Sequence, residues 1–286
     1  MQTLRSRIIV DGLIFPEGIR WHQDQVWFSD ILDFKVYRHD PRTGRTEIVA
    51  KTTDRPSGLG FLPDGRLLIA SMAERALLRL DPEGLTLAAD LTATCTLLND
   101  MVVDAHGRAY LDAHFPDDRG GLVLVEPNGS YRIVADDMKT PNGLAITADG
   151  QTLIVADLFA NRIVAFDIVT NGNLTNQRVF AELGDRAPDG LCLDAEGAAW
   201  VGLPFQGKFQ RIKQGGEVTH EIPCPKKWGI APVLGGPDRR TLFLCTAEVE
   251  LEKIIALMQD PQHARRDCKG WIETVEGIEI PGAGWP

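Results

Sequence analysis

The fold is decided by the stretch "KTPNGLAITADGQTLIVAD", which runs from Lys139 to Asp157. Its Pro-Asn-Gly triplet suits a tight turn, because proline presets the first turn position and asparagine and glycine tolerate positive φ. Two short runs with β-type patterning follow, and the segment "ADG" separates them. The stretch therefore predicts a turn, a strand, a hairpin turn and a second strand.

The same pattern occurs six times along the chain. We call the residue in the register of Asn142 the anchor of its repeat, and successive anchors are 40, 42, 43, 47 and 40 residues apart. Each of the first five repeats also has a later turn, such as "DPEG" ending at Gly84 and "VTNG" ending at Gly172. A period near 40 residues with four short strands is typical of a propeller blade. In chain order the anchors are Glu17, Ser57, Asn99, Asn142, Asp189 and Gly229.

The repeats predict an all-β fold, a six-bladed β-propeller with four antiparallel strands per blade, formed as a single domain over residues 1–286. Helical solenoids are excluded, because glycine, proline and aspartate interrupt the chain too often for long helices. The last period supplies "KIIALMQD" and "GWIETVEGIEI" as candidate strands. We expect Arg7–Val10 to complete the sheet of the sixth blade, so that no open edge remains.

Composition and charge indicate which classes of partner are disfavoured and in which cellular compartment the protein is expected. The formal net charge is −10 and no basic stripe offsets it, which argues against nucleic acid or an anionic membrane as partner. The chain has no long apolar run, and "MQTLRSRIIVDGLIF" lacks the features of a signal peptide. We therefore expect a cytoplasmic monomer or small homo-oligomer. The irregularly spaced cysteines are interpreted as buried, reduced thiols: Cys95, Cys192, Cys224, Cys245 and Cys268.

The anchors also predict a metal site. In a propeller, equivalent positions lie on a ring around the axis, and anchors that begin the innermost strands converge at one end of the channel. Unpaired carboxylates there would cost several kcal/mol or take up a proton, whereas a divalent cation would neutralise them. Oxygen donors favour Ca²⁺, with Mg²⁺, Mn²⁺ or Zn²⁺ as alternatives. The alternative is that these residues serve turn chemistry alone. The four oxygen-donor anchors are Glu17, Asn99, Asn142 and Asp189.

Several motifs resemble those of the senescence marker protein/gluconolactonase/luciferin-regenerating-enzyme family. They are "FPEGIRW", "LND", "TPNGLAITADGQTLIVAD", "PDGLCLDAEGAAWV" and the closing "IEIPGAGWP". The resemblance implies a six-bladed propeller that binds a divalent metal on its axis and hydrolyses lactones. It implies Glu17, Asn142 and Asp189 as metal ligands and Asp189 as the catalytic base. Asn99 would be a fourth ligand, or would lie just outside the metal shell and contact substrate.

The expected channel mouth is more apolar than a sugar lactone would require. Members that act on sugar lactones commonly carry an arginine two positions before the asparagine of "ND", where this chain has Leu97. His114, Phe115 and Phe159 are expected at the mouth as substrate contacts, because the second strand of a blade ends on the face where the first begins. Ile31, Met72 and Phe205 follow the same rule in the other blades. The rim therefore favours an apolar or aromatic lactone or ester.

Other functions remain open on the same scaffold. A metal that polarises a lactone carbonyl also suits an aryl-ester or organophosphate hydrolase. A non-catalytic calcium-binding protein would need the ligands but no base. A condensing enzyme resembling strictosidine synthase is disfavoured by the complete set of oxygen ligands.

Overall fold

The computed structural model describes residues 1–285 and contains six sheets arranged around an axis, which confirms the predicted six-bladed β-propeller with four antiparallel strands per blade. In chain order the strands are β1 (Gln2–Thr3), β2 (Arg7–Leu13), β3 (Pro16–His22), β4 (Gln25–Asp30), β5 (Lys35–Asp40), β6 (Arg45–Lys51), β7 (Pro56–Phe61), β8 (Leu67–Ser71), β9 (Ala76–Asp81), β10 (Gly84–Asp90), β11 (Leu97–Val103), β12 (Ala109–His114), β13 (Gly120–Val125), β14 (Tyr131–Met138), β15 (Pro141–Ile146), β16 (Thr152–Asp157), β17 (Arg162–Ile168), β18 (Leu174–Glu182), β19 (Leu191–Asp194), β20 (Ala199–Leu203), β21 (Lys208–Ile212), β22 (Val218–Pro223), β23 (Trp228–Gly235), β24 (Thr241–Glu248), β25 (Lys269–Val275) and β26 (Gly282–Ala283).

The blades follow one another in sequence order and close into a ring. Blades 1 to 5 begin at β3, β7, β11, β15 and β19, and blade 6 consists of β23, β24, β25 and β2. Strand β2 pairs with β25 through Arg7 opposite Thr274 and Val10 opposite Ile272. The prediction that Arg7–Val10 completes the sixth blade is thereby confirmed. Each innermost strand contacts the innermost strand of the next blade, and β23 contacts β3.

The backbones approach closely near the axis, and this explains why small residues follow most anchors. A Cβ added to Gly143 would lie 2.6 Å from the Cα of Gly190 in the next blade. Real Cβ atoms do not approach backbone so closely, so these two strands could not keep their separation with a larger residue. Apolar residues that alternate along the strands fill the space between blades; Val26 and Phe28 of β4 are both fully buried.

One element differs from the sequence prediction. The segment "KIIALMQD" does not form a strand, because Leu251–Gln259 is a helix, α1, followed by a short helix α2 at Ala264–Asp267. Its Ala, Leu, Met, Lys and Glu residues favour helix, and Ile254 and Leu257, three positions apart, are both buried on one face. None of the helices in the described part of the chain has the length and hydropathy needed to cross a bilayer.

Candidate active site

The predicted ligand residues lie at the starts of innermost strands, at one end of the axis. Glu17 is the second residue of β3, Asn142 is the second of β15, and Asp189 precedes β19 by two residues. Asn99 lies in β11 and accepts a hydrogen bond of 2.6 Å through its Oδ1 from the hydroxyl of Ser57, the anchor of the neighbouring blade. The side chain of Asn142 donates a hydrogen bond to Asp189. The register of the repeat therefore brings the anchors of different blades together.

The two carboxylates of this set are buried and act on one another. Glu17 is 5% exposed and Asp189 is 6% exposed. The pKa of Glu17 is raised to about 8, mainly by burial and next by the charge of Asp100, although hydrogen bonding from the Gly18 N–H and the charge of Arg20 act to lower it. Burial raises the pKa of Asp189 well above its usual value, and the Glu17 carboxylate is the next largest cause. Without a cation, the site therefore favours protonated carboxyl groups.

Two further carboxylates surround the pair and were not predicted from sequence. Asp100, next to Asn99, accepts a hydrogen bond of 2.6 Å from Nη2 of Arg20, and both side chains are almost completely buried. Asp112 on β12 is fully buried, and its Oδ2 accepts the backbone N–H of Asp100 at 3.0 Å. Burial raises the pKa of Asp112 well above its usual value. The cluster thus sets four carboxyl groups against the single guanidinium of Arg20.

The residues present fit a hard divalent cation. Within residues 1–285, Oδ1 of Asn142 and Oδ1 of Asp112 are buried and have no hydrogen-bond partner. A buried oxygen without a partner carries a desolvation cost that a cation would remove. The described residues contain no group of three or more His, Cys, Asp or Glu side chains arranged to hold a metal. The candidate ligand set does not meet that description, because two of its four oxygen donors are side-chain amides, those of Asn99 and Asn142.

The predicted substrate contacts fall in different environments. His114 is partly buried at the end of β12, where burial lowers its pKa, and its backbone lies opposite Leu97 of β11. Phe159 is exposed, in a 3-10 turn whose Leu158 N–H bonds to the carbonyl of Thr140 beside the start of β15. Phe115 is only 5% exposed and belongs to the core of blade 3. Of the three residues, Phe159 is the one that presents its ring to solvent.

An aromatic arc runs over four blades at this end of the axis. The rings of Phe159 and Phe205 stack at 6.3 Å, Phe205 packs edge-on against Trp228 at 5.4 Å, and Trp228 packs edge-on against Phe15 at 6.1 Å. Phe15 lies two residues before Glu17. Sequence reasoning placed Phe205 at the rim but missed Trp228 and Phe15. The available signal was that both residues stand within two positions of an anchor.

On the other side of the mouth, the apolar residues expected at the rim are buried, and Leu97 packs against them. Ile31 and Met72, both expected at the rim, are buried in one hydrophobic cluster with Phe15 and with residues of α1. Leu97 and Trp228 are partly buried and pack against the same cluster. The side of the mouth formed by blades 6, 1, 2 and 3 is therefore built mainly from aliphatic and aromatic groups.

Comparison with known proteins finds relatives that are similar to this chain over most of its length. The chain is 28% identical to 6-deoxy-6-sulfogluconolactonase of Pseudomonas putida, over 78% of this chain and 79% of that protein. It is 25% identical to pentonolactonase XacC of Haloferax volcanii, over 85% of this chain and 84% of that protein. It is 27% identical to regucalcin of Xenopus laevis, over 89% of this chain and 87% of that protein.

Solved structures share the fold over nearly the whole chain. A calcium-binding protein, regucalcin, from Agrobacterium tumefaciens has a TM-score of 0.80 at 22% identity, covering 100% of this chain and 98% of that chain. A luciferin-regenerating enzyme has a TM-score of 0.81 at 19% identity, covering 96% of both chains. The sequence model described as "SMP-30/Gluconolactonase/LRE-like region" matches residues 15–248. This chain therefore belongs to the SMP-30/gluconolactonase/LRE-like family.

Proposed function

We propose that this protein is a divalent-metal-dependent hydrolase that opens a lactone ring. The observation that carries the proposal is the pair of buried carboxylates, Glu17 and Asp189, beside the unpartnered buried Oδ1 of Asn142. Such a group is stable at neutral pH when it is protonated or when it holds a cation. Relatives named sulfogluconolactonase and pentonolactonase support lactone hydrolysis as the reaction.

The proposed ligands are Glu17, Asn142 and Asp189. Asn99 completes the set or contacts substrate from just outside it, since its Oδ1 already accepts the hydroxyl of Ser57. The charge of two carboxylates balances one divalent ion, and Ca²⁺ is the ion that this donor set favours, with Mg²⁺, Mn²⁺ and Zn²⁺ to be compared. When bound, the metal polarises the lactone carbonyl and stabilises the negative charge that develops on its oxygen.

Asp189 acts as the general base in this proposal. Its carboxylate accepts a proton from a water molecule while the water oxygen bonds to the carbonyl carbon. The ring C–O bond then breaks, and the leaving alkoxide takes a proton from Asp189, which restores the carboxylate and releases a hydroxy acid. The Asn142 side chain, which hydrogen-bonds to Asp189, orients this carboxylate. No serine nucleophile is needed.

The proposed substrate is an apolar or aromatic lactone. The aromatic arc offers exposed ring faces at Phe159 and Phe205, which are 59% and 43% exposed. Aromatic groups pack favourably on such faces, by about 0.5–1.5 kcal/mol beyond the area that they bury. Leu97 adds aliphatic surface near the site and no donor for a sugar hydroxyl.

Two alternatives share the site and are separated by assay. An aryl-ester or organophosphate hydrolase would use the same metal and base on a different electrophile. A calcium-binding protein without turnover is the other alternative, and several relatives are named regucalcin.

For the cellular compartment, we infer the cytoplasm, because the five cysteines are buried free thiols, as expected in a reducing environment.

The experiment that tests the proposal is Asp189→Asn, assayed with a pH indicator on aliphatic, aromatic and sugar lactones. With Ca²⁺ at a concentration high enough to load the site despite the lost ligand charge, we expect the variant to lose about two orders of magnitude or more in kcat, since a positioned base contributes that much. The control is Asp30→Asn, because Asp30 is a buried carboxyl that bonds to the backbone N–H groups of Ile14 and Phe15 rather than belonging to the anchor set. Near-native turnover by a metal-bound Asp189→Asn protein would exclude Asp189 as the base. Wild-type turnover of phosphotriesters alone would favour the organophosphate hydrolase.

A further inference from the structure

A cavity lies at the end of the propeller axis opposite the anchor residues. Its volume is about 480 Å³, and it is formed at the ends of β3, β7 and β11, where the chain leaves the channel. His22 lies five residues beyond Glu17 on β3, which places the two about 16 Å apart along the strand. This lower cavity is lined by Trp21, His22, Phe61, Val103, Arg239 and Trp285, among others.

The C-terminal segment covers the other half of the same opening. Gly282 and Ala283 pair with β19, and Trp285 exchanges two backbone hydrogen bonds, of 2.8 and 2.9 Å, with Ile146 of β15. The segment therefore crosses blades 5 and 4, while blades 6, 1, 2 and 3 border the cavity. The C-terminal segment therefore covers part of this end of the channel.

Arg239 occupies a position at which four other blades carry glycine. In each of those blades the hairpin turn ends with a left-handed residue whose N–H donates to the carbonyl three residues earlier. Arg239 makes the same hydrogen bond to Gly236, at 3.0 Å, with φ of 55°. A left-handed conformation disfavours a residue with a side chain, and such residues cluster at functional sites. The equivalent glycines are Gly65, Gly107, Gly150 and Gly197.

The guanidinium of Arg239 is poorly satisfied by the protein. Its Nη2 donates to the carbonyl of Gly284 at 3.4 Å, a long bond. Its Nε is buried without a partner, and no carboxylate within residues 1–285 forms an ion pair with this side chain. The other charges at the cavity are compensated. Asp104 pairs with Arg108 at 2.6 Å, and burial lowers the pKa of His22, which keeps its ring neutral at pH 7.

The remaining walls are flat and aromatic. The ring of His22 stacks on that of Phe61 at 3.7 Å with an interplanar angle of 9°. Trp21 is held in place from behind, because its ring stacks on Phe243 at 5.5 Å. Trp285 closes the side nearest the C-terminal segment. One uncompensated cation beside several aromatic faces matches a planar ring that carries a single negative charge.

We propose that the lower cavity binds a small aromatic carboxylate, with the Arg239 guanidinium holding the carboxylate and Trp21, His22 and Trp285 surrounding the ring. This site is separate from the proposed metal centre and does not depend on lactone hydrolysis. The competing explanation is structural, namely that Arg239 serves only to hold the C-terminal segment through Gly284.

The test is a titration of the metal-free protein with benzoate, in which binding is measured by calorimetry and by tryptophan fluorescence. Arg239→Gly is the decisive variant, because glycine adopts positive φ freely and reproduces the turn of blades 2 to 5. We expect saturable binding by the wild type and binding weakened by about tenfold or more in Arg239→Gly, with little change in Tm. Arg45→Ala, which removes an exposed arginine of blade 1 that pairs with Glu47, should bind as the wild type does. Benzamide, which has the ring without the charge, should bind about tenfold more weakly than benzoate.

Two results would overturn the proposal. One is an absence of saturable benzoate binding up to about 10 mM, beyond which affinity is negligible. The other is equal benzoate affinity in Arg239→Gly and the wild type. If the variant then also shows a clear loss of Tm, Arg239 is assigned to holding the C-terminal segment.

Discussion

Replacement of Glu17 by glutamine should stabilise the metal-free protein and abolish its response to calcium. Burial raises the pKa of Glu17 from 4.5 to about 8. At pH 7 the Glu17 carboxyl is ionised in the unfolded chain, whereas it must take up a proton in the folded chain. At 1.36 kcal/mol per pH unit between 4.5 and 7, this protonation lowers the free energy of unfolding by about 3 kcal/mol. Loss of the hydrogen bond that the Glu17 carboxyl accepts from the Gly18 N–H, at 2.7 Å, offsets about 1 kcal/mol. We therefore expect a net gain of about 2 kcal/mol, or roughly 5 °C in Tm.

The sign of this effect depends on pH. At Glu17 the folded state binds more protons than the unfolded state between the two pKa values, so the contribution of this group to the stability of the metal-free wild type falls as pH rises from about 4.5 to about 8. Below pH 4.5 both states are protonated and the advantage of Glu17→Gln disappears. Calcium should reverse the order at neutral pH, because an ion at about 100 times its Kd would add about 2.7 kcal/mol to the wild type. The variant, with one ligand charge removed, should gain little.

These effects can be measured by thermal denaturation monitored by circular dichroism. The wild type and Glu17→Gln are compared with chelator and with Ca²⁺, each at pH 4 and at pH 7. Glu273→Gln is the matched control, because Glu273 is equally buried but is paired with Lys227 at 2.8 Å. Although burial raises the pKa of Glu273, hydrogen bonds from Lys227, Ser6 and Thr246 lower it overall. Glu273→Gln should therefore destabilise the protein at pH 7 and keep the calcium response. A Glu17→Gln protein that is less stable than the wild type in chelator at pH 7, or that calcium stabilises fully, would refute the reasoning.

Two further substitutions test the geometry. Gly143→Ala should lower the free energy of unfolding by about 2–3 kcal/mol in urea denaturation, because the new Cβ would lie 2.6 Å from the Cα of Gly190; a loss below about 0.5 kcal/mol would mean that the two strands can separate. Phe205→Ala should reduce kcat/KM for dihydrocoumarin, an aromatic lactone, by about tenfold through loss of ring packing, while leaving that for gluconolactone nearly unchanged. Equal losses for both lactones would assign Phe205 a structural role.

The features that depend on the repeat were predicted from the sequence, whereas those that depend on side-chain contacts within and between blades were missed. The register of the anchors was sufficient to place Glu17, Asn142 and Asp189 together, because rotational repetition converts sequence register into position. Asp112 escaped notice because its approach to the backbone of Asp100 depends on strand pairing within blade 3. Phe115 was expected at the rim, but its ring packs over Gly121 inside the blade, where a Cβ would lie 2.5 Å from it.

Helix α1, which is inserted in the sixth blade, shows a second limit of prediction from sequence. The segment of α1 carries apolar residues that suit a strand or a helix, and short apolar runs do not distinguish the two by periodicity alone. Its environment decided the outcome, since Ile254 and Leu257 pack with Ile31 and Met72 of other blades. No pattern local to the sequence reports that contact. Trp228 was not predicted to be part of the aromatic arc, although it directly precedes Gly229, the anchor of the sixth repeat.

The central claim is that a divalent ion held by Glu17, Asn142 and Asp189 is required for lactone hydrolysis. The most direct measurement is the initial rate of dihydrocoumarin hydrolysis by metal-stripped protein as Ca²⁺ is added, with bound metal quantified at each point and Mg²⁺, Mn²⁺ and Zn²⁺ compared. We expect negligible rate without metal and a rate that rises in proportion to occupancy until about one ion is bound per chain. A full rate in the stripped protein, or no lactone turnover by any of the four metal-loaded forms, would contradict the account.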